Sequence, residues 1–160
     1  MADESIGPDG VFARFSPFLD AYVQFVVEAG RVVSVSFPEH PSDSALPEHP
    51  LLDRIESYLG GTTRADFDDV PISIDESDEM VTILTAVRSI PYGKARSVEE
   101  MVAEIPSLDP DDEEDLAQVR EALDANQTPI LIPDHRVRAA PSGAPPRIEQ
   151  RLRSLERIVT

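Results

Sequence analysis

The stretch Asn126-Gln-Thr-Pro-Ile-Leu-Ile-Pro133-Asp134-His135-Arg136-Val137 sets a carboxylate, an imidazole and a guanidinium on consecutive residues behind a short apolar run. A carboxylate can accept a carbon as an ester or act as a general base, and an imidazole can move a proton. A soft, strong nucleophile is missing, because the chain contains no Cys. The thiolate is the best nucleophile toward carbon that proteins carry, and neither His135 nor Arg136 replaces it. The same absence excludes disulfides, thiolate metal sites and thiol redox chemistry. No other residue is visibly arranged to let Asp134 act as acceptor or base, so the motif predicts binding without turnover, with no cofactor and no metal. The other two histidines, His40 and His49, lie in Pro38-Glu-His-Pro41 and Pro47-Glu-His-Pro50. They read either as a metal-binding pair or, more plainly, as exposed loop residues between prolines.

Several elements must position this motif. Met1–Gly10 reads as a flexible tail. Val11–Phe15, Tyr22–Val27 and Val32–Phe37 read as strands, the last alternating apolar and polar residues as a half-buried strand does. Leu51, Leu52, Ile55, Tyr58 and Leu59 recur at helical spacing and are closed by Gly60-Gly61. After an acidic link, a helix is predicted from Asp78 to Ile90, with Met80, Val81, Leu84 and Val87 on one face. Ser97 caps a helix over Val98–Ile105. Asp109-Pro110 opens another to about Ala125, with the acids of Asp111–Asp115 in its first turn where the helix dipole favours them. Ile130–Ile132 reads as a strand leading into Asp134, and Ile148–Ile158 as a closing helix. The two helices before Asn126 form a helix-turn-helix candidate, the second in the recognition position.

Three stretches together resemble one known family. They are Asn126…Pro133-Asp134-His135-Arg136, the run His49-Pro-Leu-Leu…Tyr58-Leu-Gly-Gly61…Asp66-Phe67…Val70-Pro71, and Ile90-Pro-Tyr-Gly-Lys-Ala-Arg-Ser97. In that order they are similar to the O6-alkylguanine-DNA alkyltransferases, also called methylated-DNA–protein-cysteine methyltransferases, across about residues 11–157. The resemblance implies an α+β fold. A small sheet-plus-helix lobe over 11–74 would precede a winged-helix-like lobe with a helix-turn-helix over 75–160. It also implies that Asp134 stands where the alkyl-accepting Cys belongs. His135 then stands where the family's His, acting through water, deprotonates that Cys. Asn126 would order the turn after the recognition helix and support the active-site strand, and Glu156 would orient the His. The closest likeness is to the Cys-lacking alkyltransferase-like proteins, which flag O6-alkylguanine for repair by others.

On the same footing, Tyr92, Ser97, Arg120, Ala122, Ala125, Asn126 and Arg136 are expected to face DNA, with Ala122 and Ala125 letting the helix sit close to a groove. A positive stripe from Arg96, Arg120, Arg136 and Arg138 would favour DNA binding. Several departures pull the other way. The arginine-finger position holds Ala117, and the nucleotide-rotating Tyr is Val98. Glu121 and Asp124 place carboxylates where phosphates or bases would lie. The loop after Arg136 is shorter and lacks the pocket Tyr.

Charge is the remaining signal. Asp plus Glu number 31 against 14 basic residues, for a net charge of -17, and Lys94 is the one lysine. Such a surface repels itself and nucleic acid in dilute solution. In molar salt the screening length drops to about 3 Å and the repulsion largely disappears. The acid-rich, Lys-poor composition resembles the cytoplasmic proteins of salt-accumulating halophilic archaea. The expectation is therefore a monomeric cytoplasmic protein, without a membrane segment, that binds double-stranded DNA carrying O6-alkylguanine without catalysis, with repair proteins as further partners. The competing expectation is a degenerate relative that serves as a structural or protein-interaction module.

Overall fold

Three strands and a helix organise the first 73 residues of the computed structural model, which describes residues 6–64 and 66–158 and divides into two units at Ser73/Ile74. β1 (Gly10–Ser16), β2 (Ala21–Glu28) and β3 (Arg31–Ser36) form an antiparallel sheet in the order β1-β2-β3. Along β2, Ala21, Val23, Phe25 and Val27 are buried while the residues between them are half-buried, the period-two signature of a strand with one face on the core. The β2–β3 turn places Ala29 and Gly30 at φ 53° and 76°. Both of their amides donate to the Asp9 carboxylate, at 2.9 and 3.0 Å. Ile6 N donates to Gly30 O at 2.8 Å. Of the tail expected over residues 1–10, residues 1–5 lie outside the described residues. Residues 6–10 are fastened to this turn rather than loose.

α1 (Pro50–Leu59) packs Leu51, Leu52, Ile55, Tyr58 and Leu59 inward, with Pro at its start and Gly60 at its end. Its cap corrects one expectation. His49 is no exposed loop residue: it is 4% exposed, with its ring 4.5 Å from that of Phe12 and 5.1 Å from that of Phe25. Its Nδ1 accepts from Leu51 N at 3.0 Å, satisfying one of the helix's first free amides. Burial follows because the imidazole serves as a cap acceptor on one edge and an aromatic packing surface on its faces. His40 stays exposed. Arg14 on β1 ties the sheet to α1 through Asp53 at 2.8 Å and Glu56 at 2.7 Å.

The second unit is helical. α2 (Asp78–Arg88), α3 (Val98–Glu104), α4 (Glu113–Asp124) and α5 (Pro146–Glu156) surround a core that includes Leu84, Val87, Met101, Val102, Val119, Leu123, Leu131, Ile132, Ile148 and Leu152. A 3-10 turn over Asp134–Arg136 lies between α4 and α5 in sequence. Together the two units give a mixed α+β fold. The buried face of α2 is Ile83, Leu84 and Val87, whereas Met80 and Val81 are only half-buried, so Leu84 and Val87 of the expected stripe are kept and Ile83 joins them. Ser97 and Glu100 form a reciprocal capping box at α3. Among the described residues no helix is long and apolar enough to cross a membrane.

Two further expectations fail. α4 does not open at Asp109-Pro110. Asp109 O accepts from Asp112 N at 3.0 Å and the Asp109 carboxylate accepts from Asp111 N at 2.9 Å, which makes a separate turn. The helix starts at Glu113, capped by the Asp112 carboxylate on Glu114 N. Aspartates compete for nearby amides, so an acidic run favours such turns as readily as a first helical turn. Ile130–Ile132 is not a strand either. Ile130 has φ 79°, and Ile132 N donates back to Thr128 O at 2.9 Å. The segment is a buried turn whose apolar side chains fill the core.

Candidate functional site

The 3-10 turn sends its three side chains into a fully buried polar centre, Asp134 and His135 being 0% and Arg136 3% exposed. Its backbone is closed by Arg136 N on Pro133 O at 2.9 Å and Val137 N on Asp134 O at 3.0 Å. Glu156, on the last residue of α5, joins the centre from the opposite side. Its Oε2 lies 2.8 Å from His135 Nε2 and accepts from Arg136 Nη2 at 2.9 Å. Its Oε1 accepts from Arg136 Nε at 2.8 Å and from the Gly93 amide at 3.0 Å. Arg136 Nη1 donates to Ile90 O, and the guanidinium lies 5.7 Å from the Tyr92 ring centroid. Burial raises the cost of ionising Glu156, but its bonds to His135 and Arg136 outweigh that and hold it at about 2. A buried carboxylate this heavily bonded orients the imidazole and keeps the Ile90–Gly93 turn against the motif.

Asp134 belongs to a second, adjoining network. Its Oδ2 accepts from Asn126 Nδ2 at 2.9 Å and from Gly143 N at 2.7 Å, and its Oδ1 from Ser142 Oγ at 2.7 Å. Burial pushes its carboxyl above the usual range, against the opposing pull of the Gly143, Asn126 and Ser142 donors. Asn126 also donates to Ile132 O at 3.1 Å, and its Oδ1 accepts from Thr128 N at 3.1 Å. Ser142 and Gly143 were not among the residues singled out from the sequence, nor was Arg153, whose Nε donates to His135 O at 3.0 Å. The one signal for them was a Ser-Gly step inside a proline-rich loop. That Gly is required here: a Cβ at residue 143 would stand 1.9 Å from Asn126 O.

This arrangement is poorly suited to nucleophilic attack by Asp134. Both carboxylate oxygens are held by donors, which lowers their nucleophilicity, and His135 is bonded to Glu156 rather than to Asp134.

The residues expected to face DNA do not share one surface. Arg136, Asn126 and Ala122 are buried, which corrects their placement. Arg136 and Asn126 spend their polar atoms on internal partners, and Ala122 is small because α4 packs closely on the core. Arg120 is exposed on α4 and Ala125 is its half-buried C-terminal cap. Tyr92 is half-buried, and Ser97 is committed to capping α3. Two of the four arginines of the expected positive stripe are paired at the surface, Arg96 with Glu104 at 2.8 Å and Arg138 with Glu100 at 3.1 Å.

Comparison with known proteins places the chain among relatives. The family model described as the DNA-binding domain of 6-O-methylguanine DNA methyltransferase matches residues 80–156. The methylated-DNA–protein-cysteine methyltransferase of Methanopyrus kandleri is 33% identical over 100 residues, covering 62% of this chain and 70% of that protein. The fold is shared with the Mycobacterium tuberculosis O6-methylguanine methyltransferase, at a TM-score of 0.69 and 19% identity over 93% of this chain and 92% of that one. It is shared equally with OGT of the same organism solved in complex with DNA, at a TM-score of 0.68 and 20% identity over 92% and 91% of the two chains. A carboxylate thus sits in a Pro-Asp-His-Arg turn bonded as a structural acceptor, in a chain without any thiol, and the protein belongs to the O6-alkylguanine-DNA alkyltransferase family.

Proposed function

We propose that this protein is a non-catalytic, alkyltransferase-like member of its family that binds duplex DNA carrying alkylated guanine and supports repair without accepting the alkyl group. The observation that carries the reading is the Asp134–His135–Arg136 turn. Its supporting network through Asn126 and Glu156 is complete, while the residue in the acceptor position is a buried carboxylate tied by three donors. In this reading α3, the turn after it and α4 act as a helix-turn-helix with α4 toward the groove. Arg120 is its exposed cation, and Ala125 caps the same helix. The match to a DNA-binding domain and the DNA complex of a protein with the same fold support a role in binding DNA. The surface pairs of Arg96 and Arg138 are no obstacle, because exposed ion pairs contribute only about 0–1 kcal/mol and can be exchanged for phosphates.

A specific observation favours a second reading, a protein-interaction module. The exposed part of α4 carries Glu113, Glu114, Glu121 and Asp124 against Arg120 alone. The experiment that separates the two is fluorescence anisotropy with duplexes containing guanine or O6-methylguanine at one position, in KCl from about 0.1 to 2 M so that self-repulsion is screened. Preferential binding of the lesion, with no methyl added to the protein mass afterwards, supports the sensor. Folded protein that binds neither duplex turns the search to protein partners. A gain of one methyl would mean that Asp134 accepts the alkyl group after all.

A further inference from the structure

Asp134 meets the conditions of a bound anion more closely than those of a reacting side chain. Three donors of different origin, a serine hydroxyl, a backbone amide and a side-chain amide, converge on its two oxygens within 2.9 Å, and the Asp134 side chain they hold is fully buried. Preorganised donors converging on a buried carboxylate are what an oxyanion site consists of.

The Asn126 and Ser142 donors are oriented by contacts that do not involve Asp134. The Asn126 amide is fixed because its Oδ1 accepts from Thr128 N at 3.1 Å and from Thr128 Oγ1 at 3.3 Å. Ser142 Oγ accepts from Ala144 N at 3.0 Å, which leaves its hydrogen to point inward. The Gly143 amide can come this near only because residue 143 has no Cβ, the carbonyl of Asn126 occupying that space. The main chain of Asp134 is secured separately, by its own N on Ile132 O at 2.8 Å and by Val137 N on its carbonyl. Removing the carboxyl group therefore leaves the Asn126 amide and the main chain of residue 134 in place, and a carboxylate returned to the site can fasten Ser142 and Gly143 again.

We propose that Asp134 is an internal ligand: its carboxylate occupies an oxyanion site built by Asn126, Ser142 and Gly143, which in its absence takes a small free carboxylate. The occupied site fastens the Ser142–Ala144 segment onto the 3-10 turn, so any external acceptor group has to displace Asp134 first. The inference concerns this cradle alone and stands whether or not the protein binds DNA.

The test is chemical rescue. Asp134→Ala removes one carboxyl group, and formate restores those atoms. Formate titrated against KCl at constant ionic strength is expected to raise the melting temperature of Asp134→Ala by about 3 °C once it reaches roughly tenfold its dissociation constant. Wild type and the Asp134→Ala/Ser142→Ala double variant should not respond. A folded Asp134→Ala whose melting temperature follows KCl and formate identically overturns the proposal. Should that variant not fold, wild type carries the test: the Gly143 amide, on an exposed residue, is expected to exchange with solvent at least about tenfold more slowly than an unstructured glycine. Exchange at the unstructured rate overturns it.

Discussion

Glu156 Oε2 lies 2.8 Å from His135 Nε2 with both side chains fully buried, across 21 residues of sequence. The same carboxylate binds Arg136, so one acidic group on the end of α5 holds two consecutive residues of the 3-10 turn. Acid should reveal this. Glu156 is held at about 2 against an ordinary 4.5, so its stabilisation is complete above pH 4.5 and is lost as the pH falls toward 2. The depression corresponds to roughly 3 kcal/mol. Other carboxylates titrate in the same window, so the readout is the difference between wild type and Glu156→Gln. The variant should be less stable by about 3 to 5 kcal/mol at pH 7, because the Arg136 charge stays buried without its partner. The gap should narrow below pH 4.5. A gap that is constant from pH 7 to 2 in denaturant unfolding would contradict the assignment.

Gly143→Ala is expected to destabilise the second unit severely, by about 3 kcal/mol or more. The new methyl would overlap the Asn126 carbonyl at 1.9 Å, a backbone atom with little freedom to yield. Gly61→Ala is the matched control. Nothing lies within 4 Å of a Cβ there, but φ is 76°, so only conformational strain of about 1 kcal/mol is expected. Equal losses for the two variants in urea unfolding would mean that steric closure at Gly143 is not what sets the loop.

His49 offers a separate acid response in the first unit. Burial against Phe12 and Phe25 lowers its pKa from 6.5, with Asp53 opposing the shift. Sites with a depressed folded value contribute stability that is present above the unfolded value and lost as the pH falls through the folded one. Protonating Nδ1 also removes the acceptor that caps α1 at Leu51 N. His49→Asn keeps a cap acceptor and cannot titrate. Wild type should lose stability relative to His49→Asn below pH 6.5, as read by thermal unfolding at closely spaced pH values; parallel curves would contradict this.

Legibility in the sequence followed locality. α1 was readable because five apolar residues at helical spacing stand between Pro50 and Gly60, and β2 and β3 because one face alternates. The start of α4 was not, because Asp109 and Asp112 both offer carboxylates to nearby amides and only the fold selects which one caps the helix. Ile130–Ile132 was misread since a three-residue apolar run between prolines looks alike as a strand and as a buried turn. The burial of His49 depends on two rings from the sheet, 37 and 24 residues earlier in the chain. In the candidate site the family resemblance pointed to Asn126, His135 and Glu156. The other two donors to Asp134 were hidden, since Ser142 and Gly143 gain their meaning only when the loop folds back on the turn.

Electrostatics decide whether Arg120 works on DNA. It is exposed on α4, while Arg96, Arg136 and Arg138 each have an acidic partner. At low salt the net charge of -17 opposes approach to a polyanion. At molar salt that penalty is screened, but so is the counterion release that drives most DNA association. With Arg120 the one of those four arginines without an acidic partner among the described residues, a shallow salt dependence is expected, with binding resting mainly on shape and hydrogen bonds. Arg120→Ala is expected to weaken binding roughly tenfold for both duplexes and to reduce the salt slope by about one, as a phosphate contact does. If only the lesion preference falls and the slope is unchanged, Arg120 reads the damaged base. Should neither change, α4 does not face DNA, and its acidic side becomes the surface to probe for protein partners.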